Sequence, residues 1–119
     1  MNTVSSENGD NADRVADIVK NHTSIKYART TTSTFNFKLQ DNLYIFNPTV
    51  HHDDYDNLFK LGKEFISMKP DTPKLFYIWG HCFEFDILND WDKFEDFLKL
   101  ISGKKDIFYG TNNEVLLNR

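Results

Sequence analysis

The chain has 119 residues, a formal net charge of −4, a pI near 5.5 and eleven phenylalanines. That length suits one domain, and lysines scattered among acids leave no basic footprint for nucleic acid or anionic membrane. A lone Cys82 excludes an internal disulfide, no apolar run reaches membrane-spanning length, and the polar residues 1–11 lack a signal-peptide pattern, so the product as written is expected to be soluble and cytoplasmic.

Residues 1–9 read as a loose Ser/Asn/Gly-rich lead-in, and residues 10–119 as a single α/β domain. Asp10 is a candidate N-cap for a helix over about Asn11 to Asn21, with Val15, Ile18 and Val19 at helical spacing. Ile25 to Arg29 alternates as a short strand, Thr30 to Thr34 either extends it or loops, and Phe35, Phe37 and Leu39 alternate over a second extended piece. Leu43 to Phe46 is a compact apolar run closed by Asn47-Pro48, read as a short strand or packed loop. Asp53 or Asp54 caps a helix through about Ser67, ended by Pro70 and Pro73.

Lys74 to Trp79 is a short, continuously apolar run of the kind that suits a parallel sheet covered on both faces, and it is expected to be central. Asn89 or Asp90 caps a helix to about Ser102, with Trp91, Phe94, Phe97, Leu98 and Ile101 on one stripe and Gly103 as its C-terminal stop. Asp106 to Tyr109 and Glu114 to Leu117 read as late strands. Strands alternating with helices of ten or more residues predict parallel βα units, with active groups at the carboxyl ends of the strands.

His81 follows an apolar strand directly after Gly80, which aims its imidazole at that edge as a natural acid or base; the bland alternative is a strand-end histidine without catalytic duty. Glu84 and Asp86, two apart, share a face if the segment is extended, with Phe83 and Phe85 on the other, and a carboxylate there orients the His81 ring. Cys82 has no evident base partner and reads as a small buried residue. His51-His52-Asp53-Asp54 sets four potential metal ligands in a row. Adjacent residues at a helix start diverge, so no more than two of the four can share an ion, the chain has no His-x-x-x-His, and helix capping with two polar rings is favoured over a metal site. Arg29 offers a rigid fork of donors for a carboxylate across a cleft or for a structural salt bridge, and Trp79 offers a flat surface for a sugar or for the core.

The string Trp79-Gly80-His81-Cys82-Phe83-Glu84-Phe85-Asp86, with Tyr27-Ala28-Arg29-Thr30-Thr31 upstream and Asp106-Ile107-Phe108-Tyr109-Gly110-Thr111-Asn112 downstream, resembles the C-terminal half of a polysaccharide deacetylase of carbohydrate esterase family 4. The likeness runs over about residues 9–117, and Pro48 to Asp54 is similar to the Pro-Thr-x-His-His-x-Asp pattern of that branch. It implies a partial (β/α) barrel, an acetylated polysaccharide or oligosaccharide as ligand, and hydrolysis of its acetyl groups in the complete family. It further implies His81 as the acid for the leaving amine, Arg29 as its orienter, and His51, His52, Glu84 and Trp79 facing substrate. The family's early Asp-Asp pair and His-x-x-x-His, which hold Zn or Co, have no counterpart here, and of its Arg-x-Pro-x-Gly block only Gly9 remains. The expectation is therefore a chain truncated before its metal-binding half, binding no cofactor alone and inactive alone. Such a chain is expected to pair with a copy of itself or with a separate N-terminal half. The alternative is a non-enzymatic carbohydrate-binding or protein-interaction domain.

Overall fold

The computed structural model describes residues 9–117. The elements in chain order are α1 (Gly9–His22), a 3-10 turn (Leu43–Ile45), β1 (Val50–His51), α2 (Tyr55–Ser67), β2 (Ile78–Trp79), α3 (Cys82–Leu88), α4 (Trp91–Ile101) and α5 (Asn112–Leu116). The lead-in expected over residues 1–9 lies, apart from Gly9, outside the described residues. Because α1 already includes Gly9, Asp10 falls in its first turn and is not its cap.

The architecture is mixed helix and strand around a small parallel sheet, β1 beside β2, in the register Val50 to Ile78 and His51 to Trp79. A single parallel bridge from Arg29 to Phe46 continues the layer on the other side of the 46–51 segment. Ala28 and Phe46 tie it from both directions, with Phe46 N–H donating to Ala28 O at 3.0 Å and Thr30 N–H to Phe46 O at 2.8 Å. Three extended segments, around residues 28–30, 46–51 and 77–79, thus run parallel in sequence order.

The strands are shorter than the apolar runs because their backbone groups are shared among several partners. Tyr77 N–H donates to the Thr49 hydroxyl at 2.9 Å, and Leu75 N–H donates to Phe37 O at 2.8 Å, so the ladder closes only at residues 78 and 79. Among the described residues β2 has a ladder partner on one side alone, so the expectation of a central strand is corrected. Side-chain alternation along it is nevertheless complete. Phe76 and Ile78 pack on a core of Val50, Leu58, Leu61 and Phe97, whereas Leu75, Tyr77 and Trp79 belong to a second core with Phe46 and Leu116. Both faces of the segment are therefore covered, as a period of two requires.

Helices α2 and α4 cover the first face. They approach closely at Gly62, where an added Cβ would lie 2.8 Å from Phe97 Cε1. Leu58 and Phe97 are fully buried there. The α4 stripe is only partly inward, since Trp91 and Leu98 are about half exposed. Gly103, at φ 70°, carries the chain out of α4 in the left-handed region that favours glycine.

Five segments differ from the sequence expectation. The Val15 and Ile18 stripe of α1 is exposed, at 41% and 56%, because the helix packs on the 3-10 turn with Ala16 buried. Residues 35–39 are not a strand: Phe35 sits at φ 54°, and its N–H is taken by Thr49 O. Asp106 to Tyr109 is irregular, and Glu114 to Leu117, expected as a strand, falls mainly in α5. There Thr111 accepts the Glu114 N–H while Glu114 accepts the Thr111 N–H, and this reciprocal cap outweighs the apolar run Val115-Leu116-Leu117. Finally, residues 82–88 form α3, so the extended geometry under which Glu84 and Asp86 would share a face does not occur. Among the described residues no helix is long and apolar enough to cross a membrane.

The two-helix face generates a stability prediction. Phe97→Ala is expected to cost about 3–5 kcal/mol, as for a large aromatic truncated in a close-packed core. Leu98→Ala, on the exposed side of the same helix, should cost only about 0.5 kcal/mol. Urea unfolding of the two variants checks the assignment of faces.

Candidate functional site

Three carboxyl ends of parallel segments meet at one edge of the sheet. Arg29 ends the first, His51 and His52 the second, and Trp79 to His81 the third. The backbone joins the last two directly, since His52 N–H donates to Trp79 O at 2.9 Å. At this edge the Arg29 guanidinium lies over the Trp79 ring, 4.4 Å from its centroid, a cation–π contact of about 0.5–2 kcal/mol. Nη1 of Arg29 also donates to Thr30 O at 3.1 Å, and burial lowers the pKa of the group against an opposing influence of Tyr77. The Trp79 ring meets His51 edge-on at 4.4 Å and His81 edge-on at 6.0 Å.

Glu84 reaches the same place from α3. Its position three residues after His81 lets its carboxylate accept the His81 backbone N–H at 3.0 Å, closing the first turn of the helix. The same Oε1 lies 3.3 Å from His51 Nε2 and 3.5 Å from His52 Nε2. The carboxylate expected to orient the His81 ring therefore binds its backbone and faces the two other imidazoles. Asp86, two residues on in a helix, turns about 200° away from Glu84 and accepts the Trp91 indole N–H at 2.8 Å. The helix likewise separates Phe85, which is buried, from Phe83, which is exposed, and it leaves Cys82 exposed where a buried residue was expected.

The two adjacent histidines converge because they do not sit at a helix start. The strand ends at His51, the chain turns with Asp54 N–H donating to His51 O at 3.2 Å, and α2 begins only at Tyr55. The rings stack at 4.4 Å and 29°, and the other face of His52 stacks on Phe85 at 4.2 Å. Of the four residues in the run, the two imidazoles face one carboxylate oxygen. Asp54 precedes α2 and accepts from the Asn57 amide at 2.9 Å, while Asp53 Oδ1 lies 2.6 Å from His51 Nδ1. The Asp53 backbone N–H also lies 3.1 Å from His51 Nδ1, so Asp53 holds this nitrogen through both its side chain and its backbone.

Gly80 explains the closeness of this packing. A Cβ built there would lie 1.7 Å from His52 Cδ2, so the imidazole occupies the space that any side chain at residue 80 would need.

His51, Asp53, Trp79, His81, Phe83 and Glu84, with Ile87 and Leu88, line an open cleft of about 380 Å³. His81 itself is exposed, its ring stacked on Phe83 at 5.3 Å and 12°. All six residues singled out in the sequence, Arg29, His51, His52, Trp79, His81 and Glu84, thus belong to one contact network at the cleft. Asp53 and Phe83 were not read as cleft residues. The His-x-Asp spacing across a turn was the available signal for Asp53, and Phe83 needed the helical reading of residues 82–88.

Burial alone pushes the Glu84 carboxyl up, but His51, the His81 N–H and His52 together hold it below its ordinary value. Models of protein families, curated proteins and solved structures give no match to this chain.

Two predictions follow from this geometry. Gly80→Ala is expected to cost about 1–3 kcal/mol or more by overpacking and to displace the His52 ring, read as a lowered urea midpoint and a shifted His52 imidazole resonance. The lowered Glu84 pKa means that the native state holds this proton less tightly than the unfolded chain. Its contribution is therefore complete above the ordinary value of 4.5 and fades as pH falls through the lower native value. The stability gap between the parent chain and Glu84→Gln should accordingly be wider at about pH 6 than at about pH 3.

Proposed function

We propose that the chain carries the sugar-facing, acid-supplying side of a polysaccharide deacetylase-type site, built on part of a (β/α) barrel. The observation that carries this reading is the assembly of Arg29, His51, His52, Trp79 and His81 at the carboxyl ends of three sequential parallel segments, the edge at which α/β barrels bind ligands. The cleft has suitable chemistry for an acetylated sugar. Trp79 and Phe83 offer apolar rings, His51 and Glu84 offer hydrogen-bonding groups, and the cleft opens to solvent.

In this reading His81 is the proton donor for a leaving amine, since its imidazole is exposed at the cleft. Arg29 acts through Trp79, holding the indole on which His51 and His81 rest. The chain binds and orients the sugar. The family's early Asp-Asp pair and His-x-x-x-His, which hold its metal, have no counterpart among these residues. The apolar side chains left open at Val15, Ile18 and Phe108 suit cover by a second copy or by a separate metal-binding half.

The missing motifs also favour a second reading, a carbohydrate-binding domain with no catalytic role. Calorimetric titration with N-acetylated chitooligosaccharides tests both, using the parent chain, Phe83→Ala and His81→Ala, both exposed positions that leave the core intact. Binding weakened about tenfold by Phe83→Ala supports the cleft, and no saturable binding by the parent chain overturns both readings. Acetate release abolished by His81→Ala favours the acid role. Binding without acetate release, unchanged in His81→Ala and in chelator, favours the binding domain.

A further inference from the structure

We infer that His51, His52 and Glu84 form a binding site for a divalent transition-metal ion, with Zn²⁺ the best match to the donors. This site is distinct from the family's metal motifs and stands whether or not the cleft takes a carbohydrate.

Four observations converge on it. The first is position. Two imidazole nitrogens and one carboxylate oxygen lie within 4.8 Å of one another, and each Nε2 is 3.3 or 3.5 Å from the same Glu84 oxygen. Ligands on a tetrahedron with bonds of about 2.0–2.1 Å are separated by about 3.3–3.5 Å, so both nitrogen-to-oxygen edges already have the required length.

The second is an unsatisfied buried group. His52 is 3% exposed, and neither of its ring nitrogens has a hydrogen-bond partner among the described residues. Its Nε2 faces Glu84 from 3.5 Å, too far for a good hydrogen bond. Buried polar nitrogens are normally paired, and an ion between the rings and Glu84 supplies the missing partner.

The third is the support behind the donors. His51 Nδ1 is held by Asp53 Oδ1 at 2.6 Å, a carboxylate–histidine arrangement of the kind that orients a ring and points its other nitrogen at a metal. The other ring nitrogen, Nε2, faces the Glu84 oxygen at 3.3 Å, where an ion between them would be bound by both.

The fourth is rigidity. His52 is clamped between His51 and Phe85, and the bare Cα of Gly80 leaves room for its ring. Glu84 is pinned through the His81 N–H. Two imidazoles and one carboxylate select zinc or a neighbouring first-row ion over Ca²⁺ or Mg²⁺, which prefer all-oxygen sites. Three protein donors leave a coordination position, and because His51 and Glu84 line the cleft, that position is accessible from it.

The test uses the untagged, chelator-stripped full chain, titrated with Zn²⁺ by calorimetry and with Co²⁺ by visible absorption. The expected result is saturation at one ion per chain, with the strong d–d bands of a low-coordinate Co²⁺ site. His51→Asn and Glu84→Gln, checked as folded by circular dichroism, should each weaken Zn²⁺ at least tenfold, and Asp53→Asn should weaken it 10–100-fold as an outer-shell partner. His22→Ala, on the exposed end of α1, should leave the titration unchanged. No saturable binding by the parent chain overturns the inference. Binding that persists in both His51→Asn and Glu84→Gln overturns it as well, by locating the ion elsewhere.

Discussion

The two-residue parallel ladder between Val50-His51 and Ile78-Trp79 is the contact on which the rest of this structure depends. Its register sends Val50 and Ile78 into the core beneath α2 and α4, and Tyr77 and Trp79 toward the core containing Phe46 and Leu116. A slip of one residue would exchange these faces and take His51 away from Trp79. So short a ladder is supplemented by side chains. The Thr49 hydroxyl accepts the Tyr77 N–H, and the Gln40 amide spans both backbone groups of Asn47 at 2.7 and 2.9 Å. These bonds do the work of absent strand partners and keep buried backbone groups satisfied.

At the carboxyl end of that ladder one carboxylate serves two purposes. Glu84 closes the first turn of α3 through the His81 N–H, and from the same oxygen it faces both imidazoles of the 51–52 pair. Local helix chemistry and long-range site geometry are therefore coupled: whatever holds α3 in place also sets the distance from Glu84 to the histidines. Phe85, one residue further along α3, stacks on His52 and Phe94, so the helix is anchored to the site and to α4 through a single ring. Gly80 completes the arrangement by giving up the volume that His52 occupies.

The segments whose structure departs from their apolar pattern share a cause. Residues 114–117 were expected as a strand and the Glu84–Asp86 pair was weighed as extended, yet residues 82–88 and 112–116 are short helices started by a glutamate at the third position reaching back to a backbone N–H. A window of five to seven residues carries too little periodicity to separate strand from helix, whereas the cap residues His81 to Glu84 and Thr111 to Glu114 are local and decisive. The exposure of Val15 and Ile18 has a different origin, since the amphipathic stripe of α1 cannot by itself say which neighbour it will meet.

From sequence alone, the long helices α2 and α4 were legible through their apolar spacing and the acids Asp54 and Asp90 before them, as were a parallel sheet and the placing of Arg29 and His81 after extended segments. The six residues Arg29, His51, His52, Trp79, His81 and Glu84 were chosen on those grounds and on a motif resemblance. Their mutual arrangement was decided only by the tertiary structure. Adjacent histidines diverge in a helix or a strand, and it takes the end of β1, the turn into α2 and the empty space above Gly80 to bring both rings against one carboxylate. Glu84 comes from more than thirty residues away in the chain, and the distance between groups so far apart is set by packing, which no local pattern of side chains encodes.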